Sequence, residues 1–71
     1  MFSPEITRVE SVVNRLNHDH HLELDLYLPL YPDHDLFLSL EYFENGHPYE
    51  DEWEGSAEEI LEVLEGIEVT L

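Results

Sequence analysis

The sequence predicts an α+β fold: one small domain with a mainly antiparallel sheet and two helices packed on it. Three observations point there. Near each end of the 71 residues, apolar side chains recur at helical spacing, and between those stretches they alternate with polar ones at strand spacing. The Asn45-Gly46 dipeptide marks a tight hairpin inside the alternating region. The expected order is α-β-β-β-α-β, with no linker, repeat or boundary, so residues 1–71 form a single domain.

Ser3-Pro4 suits a helix start, Ser3 as N-cap and Pro4 at the first helical position. Ile6, Val9, Val13 and Leu16 then share one face, Val12 widens it, and Arg15 suits the C-terminal end of the dipole. Asn17 is the expected stop. Residues 21–28 alternate without a fault: Leu22, Leu24, Leu26 and Leu28 face the core, while His21, Glu23, Asp25 and Tyr27 face outward. A loop over 31–35 leads to a second strand, with Leu36, Leu38, Leu40 and Tyr42 inward and Phe37, Ser39, Glu41 and Phe43 outward. A loop centred on Asp33 would set Leu26 opposite Leu40 and Asp25 opposite Glu41, an unfavourable like-charge pair. After the Asn-Gly turn, residues 49–54 form a third, very acidic strand, pairing Tyr49 with either Tyr42 or Phe43. Ser56-Ala57-Glu58-Glu59 is a capping box opening a second helix, with Ala57, Ile60, Leu61 and Leu64 inward and Gly66 as its end. Ile67, Val69 and Leu71 alternate with Glu68 and Thr70, which predicts a short last strand.

Charge narrows the function. Eighteen Asp and Glu stand against two Arg and no Lys, a formal net charge of −16. Such self-repulsion destabilises the compact state, so a basic partner, bound cations or a very salty solvent must offset it. Nucleic acid and anionic membrane surfaces would be repelled, and no apolar run approaches a membrane span of about 20 residues. The N-terminus lacks the pattern of a signal peptide and there is no Cys, which together fit a cytoplasmic setting. A sphere of this chain length is about 28 Å across. That length of duplex carries roughly 16 phosphate charges, close to the protein's own charge.

The candidate functional residues are carboxylates and aromatics. Glu23, Asp25, Glu41 and Asp51 are placed on outward strand faces, where residues two apart sit roughly 6–7 Å from one another and can imitate a row of phosphates. Glu50, Asp51, Glu52 and Glu54 put acid on both faces of the third strand, which also suits an edge protected against aggregation. Glu58, Glu62 and Glu65 repeat at helical spacing without an interspersed Lys, a like-charge pattern that weakens the helix carrying it. Phe37 and Phe43 fall on the acidic face, as aromatic anchors within a charged rim do at binding surfaces. The remaining aromatics, Tyr27, Tyr31, Tyr49 and Trp53, read as core for a thin sheet. His18, His20, His21 and His34 contain imidazole ligands, but without Cys or a recurring His pair they read as exposed loop residues; no metal site, EF-hand loop or cofactor is expected. No nucleophile motif surrounds Ser11, Ser39 or Ser56, and so small a domain leaves little room for a substrate pocket, so the chain is not expected to be an enzyme.

In size, charge and carboxylate layout the whole chain resembles the small acidic DNA-mimic proteins of phages and mobile elements, the anti-CRISPR and anti-restriction type. No motif carries the resemblance, so no family residue transfers to a position here. The resemblance implies an inhibitor that occupies the basic nucleic-acid channel of a CRISPR effector or restriction enzyme and excludes target DNA. It also implies the host bacterial cytoplasm as its place of action, if phage-encoded, and leaves monomer or dimer open. Two other readings stand beside it: a halophile-adapted domain of unrelated function, and a cation- or metal-binding module on the histidine-rich segment.

Overall fold

A computed structural model describes residues 4–28 and 35–71. Its order is α1 (Pro4–His20), β1 (Glu23–Tyr27), β2 (Leu36–Glu44), β3 (His47–Gly55) and α2 (Ala57–Val69). The three strands form one antiparallel sheet in the order β1-β2-β3, which puts the acidic β3 at an edge as expected. The α+β class stands. The expected Ser3 cap, the Asp33-centred loop, Tyr31 and His34 lie outside the described residues.

Both helices pack on one face of the sheet. Ile6, Val9, Val13 and Leu16 of α1 and Ile60 and Leu64 of α2 bury against Leu24, Leu36 and Leu38 in one core cluster. Each fully buried Leu or Ile removes enough apolar surface from water to contribute about 1.5–3 kcal/mol. The i, i+3, i+4 spacing of the helical residues and the period-two spacing of the leucines make this interface possible, because each element shows one apolar side. Among the described residues, no helix packs on the other sheet face. Among the described residues, no helix is long and apolar enough to cross a membrane.

Beyond shifted strand ends, with β1 spanning Glu23–Tyr27 rather than 21–28 and β3 His47–Gly55 rather than 49–54, four details differ from the sequence reading. First, α1 runs past Asn17 to His20, and His21 takes the left-handed conformation (φ 54°) that ends it. Asn17 instead turns its amide onto β1: Leu24 N–H donates to Asn17 Oδ1 at 2.9 Å, and Asn17 Nδ2 donates to the Leu24 carbonyl at 3.0 Å. The side chain thus completes the sheet edge as a neighbouring strand would.

Second, β1 and β2 pair with Leu26 opposite Leu38 and Leu24 opposite Leu40, two residues from the expected register. A slip of two keeps every Leu on the core side, so hydrophobic alternation cannot choose between the registers. The observed one sets Tyr27 beside Phe37, whose rings meet edge to face at 5.7 Å, and it sets Asp25 opposite Ser39. Third, α2 continues through Gly66 to Val69, so the expected last strand does not form. Ile67 follows Ile60 and Leu64 at helical spacing and remains half-buried in that stripe. Thr70 closes the helix, its hydroxyl donating to the Ile67 carbonyl at 2.7 Å. Fourth, the molecule is elongated, 40 × 20 × 17 Å rather than spherical.

Two turns hold as expected. Asn45 (φ 55°) and Gly46 (φ 80°) form the two-residue hairpin between β2 and β3, both left-handed as a type I′ turn requires. The capping box of α2 is complete: Glu59 N–H donates to Ser56 Oγ, and Ser56 N–H donates to the Glu59 carboxylate, each at 3.3 Å. Gly55 makes room for it, since a Cβ there would stand 3.0 Å from the Glu59 carboxylate.

Candidate functional site

The bare sheet face is built by the register. Of the two expected pairings for β3, Tyr49 takes Tyr42, which sets Glu50 opposite Glu41, Glu52 opposite Ser39 and Glu54 opposite Phe37. Directly paired residues share a face, and side chains alternate along each strand. The face away from the helices therefore carries three rows. Glu23, Glu41 and Glu50 stand abreast across all three strands, followed by Asp25, Ser39 and Glu52, then by Tyr27, Phe37 and Glu54. Beyond the first row, β2 and β3 continue with Phe43 opposite Pro48. Neighbouring strands are about 4.8 Å apart, and rows on one strand roughly 6–7 Å apart. Glu23, Asp25, Glu41, Glu50, Glu52 and Glu54 thus form one exposed anionic field, bracketed by aromatic residues at its two ends.

Asp51 corrects the sequence reading. It lies opposite Leu40, on the helix side of the sheet, not on the outward face. Moving β3 by one residue reverses every side chain on it, and the sequence left that choice open between Tyr42 and Phe43. On the helix side Asp51 neighbours Tyr42. Partial burial, then the Asp51 carboxylate, push the Tyr42 phenol above its usual range. Tyr42 and Tyr49 stack there with ring centroids 5.5 Å apart.

Helix α2 holds the other expected residues. Glu58, Glu62 and Glu65 are all exposed. At about 100° per residue they turn away from the buried Ile60 and Leu64, and Glu62 comes round to line a concavity with Trp53 and Glu54 at the β3 edge. They form a second acidic stripe in the helix layer. Glu68, on the same helix, pairs with Arg15 of α1 at 2.8 Å with both side chains about half exposed, a contact of small energetic weight.

The crowding on the sheet face shows in Glu50. A hydrogen bond shared with Glu52, partial desolvation, and the charges of Glu52 and Glu41 together hold its carboxyl above the ordinary glutamate range. Among the described residues no basic side chain shares its face: Arg8 and Arg15 both lie on α1, and the outward positions of the three strands carry no Lys, Arg or His.

The aromatics divide. Phe43 is 73% exposed and Tyr27 56% exposed, both on the acidic face, whereas Phe37 is half-buried against Tyr27. Pro48 joins the candidate surface without having been singled out from the sequence, and Tyr27, which the strand alternation already turns outward, belongs to that surface rather than to the core. Tyr27 was legible in the alternation of β1, and Pro48 needed the β3 register. His18 and His20 lie on the last turn of α1. Among the described residues, no three His, Asp or Glu side chains gather in a way that would hold a metal ion.

Compared with known proteins, the chain matches no family model, no curated protein and no solved structure.

Proposed function

We propose that this protein is an acidic DNA mimic: a non-catalytic inhibitor that occupies the basic nucleic-acid channel of a bacterial defence complex and keeps target DNA out. An anti-CRISPR role is the specific form of this reading. The supporting observation is the uncovered sheet face, where six carboxylates stand in a regular array without a cation among them. The row spacing and the absence of compensating Lys give that face the character of a charged backbone. The partner is a protein surface rich in Arg and Lys, not nucleic acid and not a membrane. The proposed place of action is the host cytoplasm.

Elongation changes the charge comparison but keeps its scale. A duplex 40 Å long carries about 24 phosphate charges against the protein's −16. The protein is thus somewhat less dense in charge than DNA, and its competitive strength depends on concentrating charge on one face. Exposed Phe43 and Tyr27 at the two ends of that field fit a docking surface better than a purely solvating, halophile-type surface, which has no use for exposed rings.

The test is capture from a bacterial lysate on immobilised protein, eluted with a salt gradient. A nucleic-acid-binding complex released steeply as salt rises is the expected result. If the only proteins retained are insensitive to salt, or none has a nucleic-acid channel, the reading is wrong.

A further inference from the structure

Among the surfaces of the molecule, the far end of the β2–β3 hairpin has the most defined chemistry. Strand β1 reaches only as far as Glu23 opposite Glu41, so β2 and β3 run on as a two-stranded ribbon. There a concavity of about 260 Å³ is lined by Glu41, Tyr42, Phe43, Pro48, Tyr49 and Glu50. On the bare face of this ribbon, Glu41 and Glu50 are directly paired and Phe43 follows Glu41 by two residues. An exposed aromatic ring therefore stands one row, roughly 7 Å, from two adjacent carboxylates.

We infer that this end of the hairpin is a socket for an arginine side chain of the partner, and that it makes the docking face selective for arginine over lysine. The inference rests on the reading that the sheet face docks a cationic protein surface. A planar guanidinium can lie on the Phe43 ring while its forked N–H donors reach the Glu41 and Glu50 carboxylates. A lysine ammonium is a compact, strongly hydrated charge. It satisfies one carboxylate well but has neither the plane to stack nor the fork to bridge. Charge complementarity favours this occupant: Glu41 and Glu50 have no basic neighbour on their face, and Glu50 is already crowded by acid on two sides. The stacked Tyr42 and Tyr49 on the reverse of the ribbon brace the two strands that present the socket.

The experiment titrates deca-arginine and deca-lysine separately onto the full chain at 0.15 M salt, for the natural sequence, Phe43→Leu and Tyr27→Leu. Phe43 is largely exposed, so its replacement by Leu leaves the core intact. The expected result is that deca-arginine binds about fivefold tighter than deca-lysine. That ratio should fall to near one in Phe43→Leu and persist in Tyr27→Leu. Equal, salt-sensitive affinity for both peptides on the natural protein would overturn the socket and leave the electrostatic docking face standing. An arginine preference that survives in Phe43→Leu would overturn it too, because any anionic surface would then account for the difference. Absence of binding by either peptide would overturn the socket together with the cationic-partner reading beneath it.

Discussion

Two side chains show how single residues decide matters here. Asn17 contributes both halves of a backbone-like pairing to Leu24, at 2.9 and 3.0 Å in a partly buried setting. Removing it leaves an edge N–H and carbonyl short of partners, so Asn17→Ala should cost about 1–3 kcal/mol in urea unfolding. An unchanged midpoint would show that solvent replaces the amide without loss. Glu50 works in the opposite sense. Its carboxyl titrates higher in the folded protein than in the unfolded chain, because Glu52 and Glu41 crowd it. Such a group favours the folded state fully below the ordinary glutamate pKa, and that contribution is lost as pH rises through the raised value. Lowering the pH from neutrality toward the ordinary glutamate pKa should therefore raise Tm. Glu50→Gln should raise Tm at pH 7 and blunt the acid-induced gain, which thermal melts across pH would read directly. The same residue scale explains the misplaced Asp51. Acid on both faces of β3 erases the alternation that normally identifies an outward side chain, so only the Tyr42–Tyr49 pairing assigns it.

Whole elements were legible wherever one periodicity excluded the other. Ile6, Val9, Val13 and Leu16 fit only a helix, the leucines of β1 and β2 only strands, and all are found so. Asn45-Gly46 and the Ser56–Glu59 box carry their own backbone geometry, and both turns form as read. Failures came where two solutions satisfied the same pattern. Ile67, Val69 and Leu71 alternate like a strand, yet Ile67 also extends the stripe of Ile60 and Leu64, and Gly66 invites a stop without enforcing one. The β1–β2 register failed for the same reason, since a two-residue slip is silent in a Leu-every-second pattern. Gly66 offers a clean test of the helix end. It is exposed within α2, and a Cβ there would meet nothing within 4 Å. Gly66→Ala should stabilise the protein by about 0.5–1 kcal/mol in chemical denaturation. Destabilisation would mean that the chain leaves the helix at Gly66 after all.

At the scale of the molecule, a net charge of −16 is spread over a thin two-layer domain, with six carboxylates on the sheet face and Glu58, Glu62 and Glu65 on α2. Self-repulsion on that scale is screened within about 10 Å at 0.1 M salt. The melt should remain cooperative there, with Tm rising as salt is added. Unfolding in 0.1 M salt would instead favour the halophile reading. The twelve residues singled out from the sequence do not form one site: the sheet field gathers most of them, Asp51 lies on the opposite face, and Glu58, Glu62 and Glu65 lie on α2. This division permits a comparison at constant net charge. Glu23→Gln/Glu41→Gln/Glu50→Gln and Glu58→Gln/Glu62→Gln/Glu65→Gln each remove three charges, one set from the sheet face and the other from the helix. The decisive measurement is competition against target DNA for a captured nucleic-acid-binding complex at fixed salt, with both variants beside the natural protein. The sheet-face variant should lose at least about tenfold in its ability to displace DNA while the helix variant stays close to the natural protein. Equal losses, or a loss confined to the helix variant, would contradict the DNA-mimic reading.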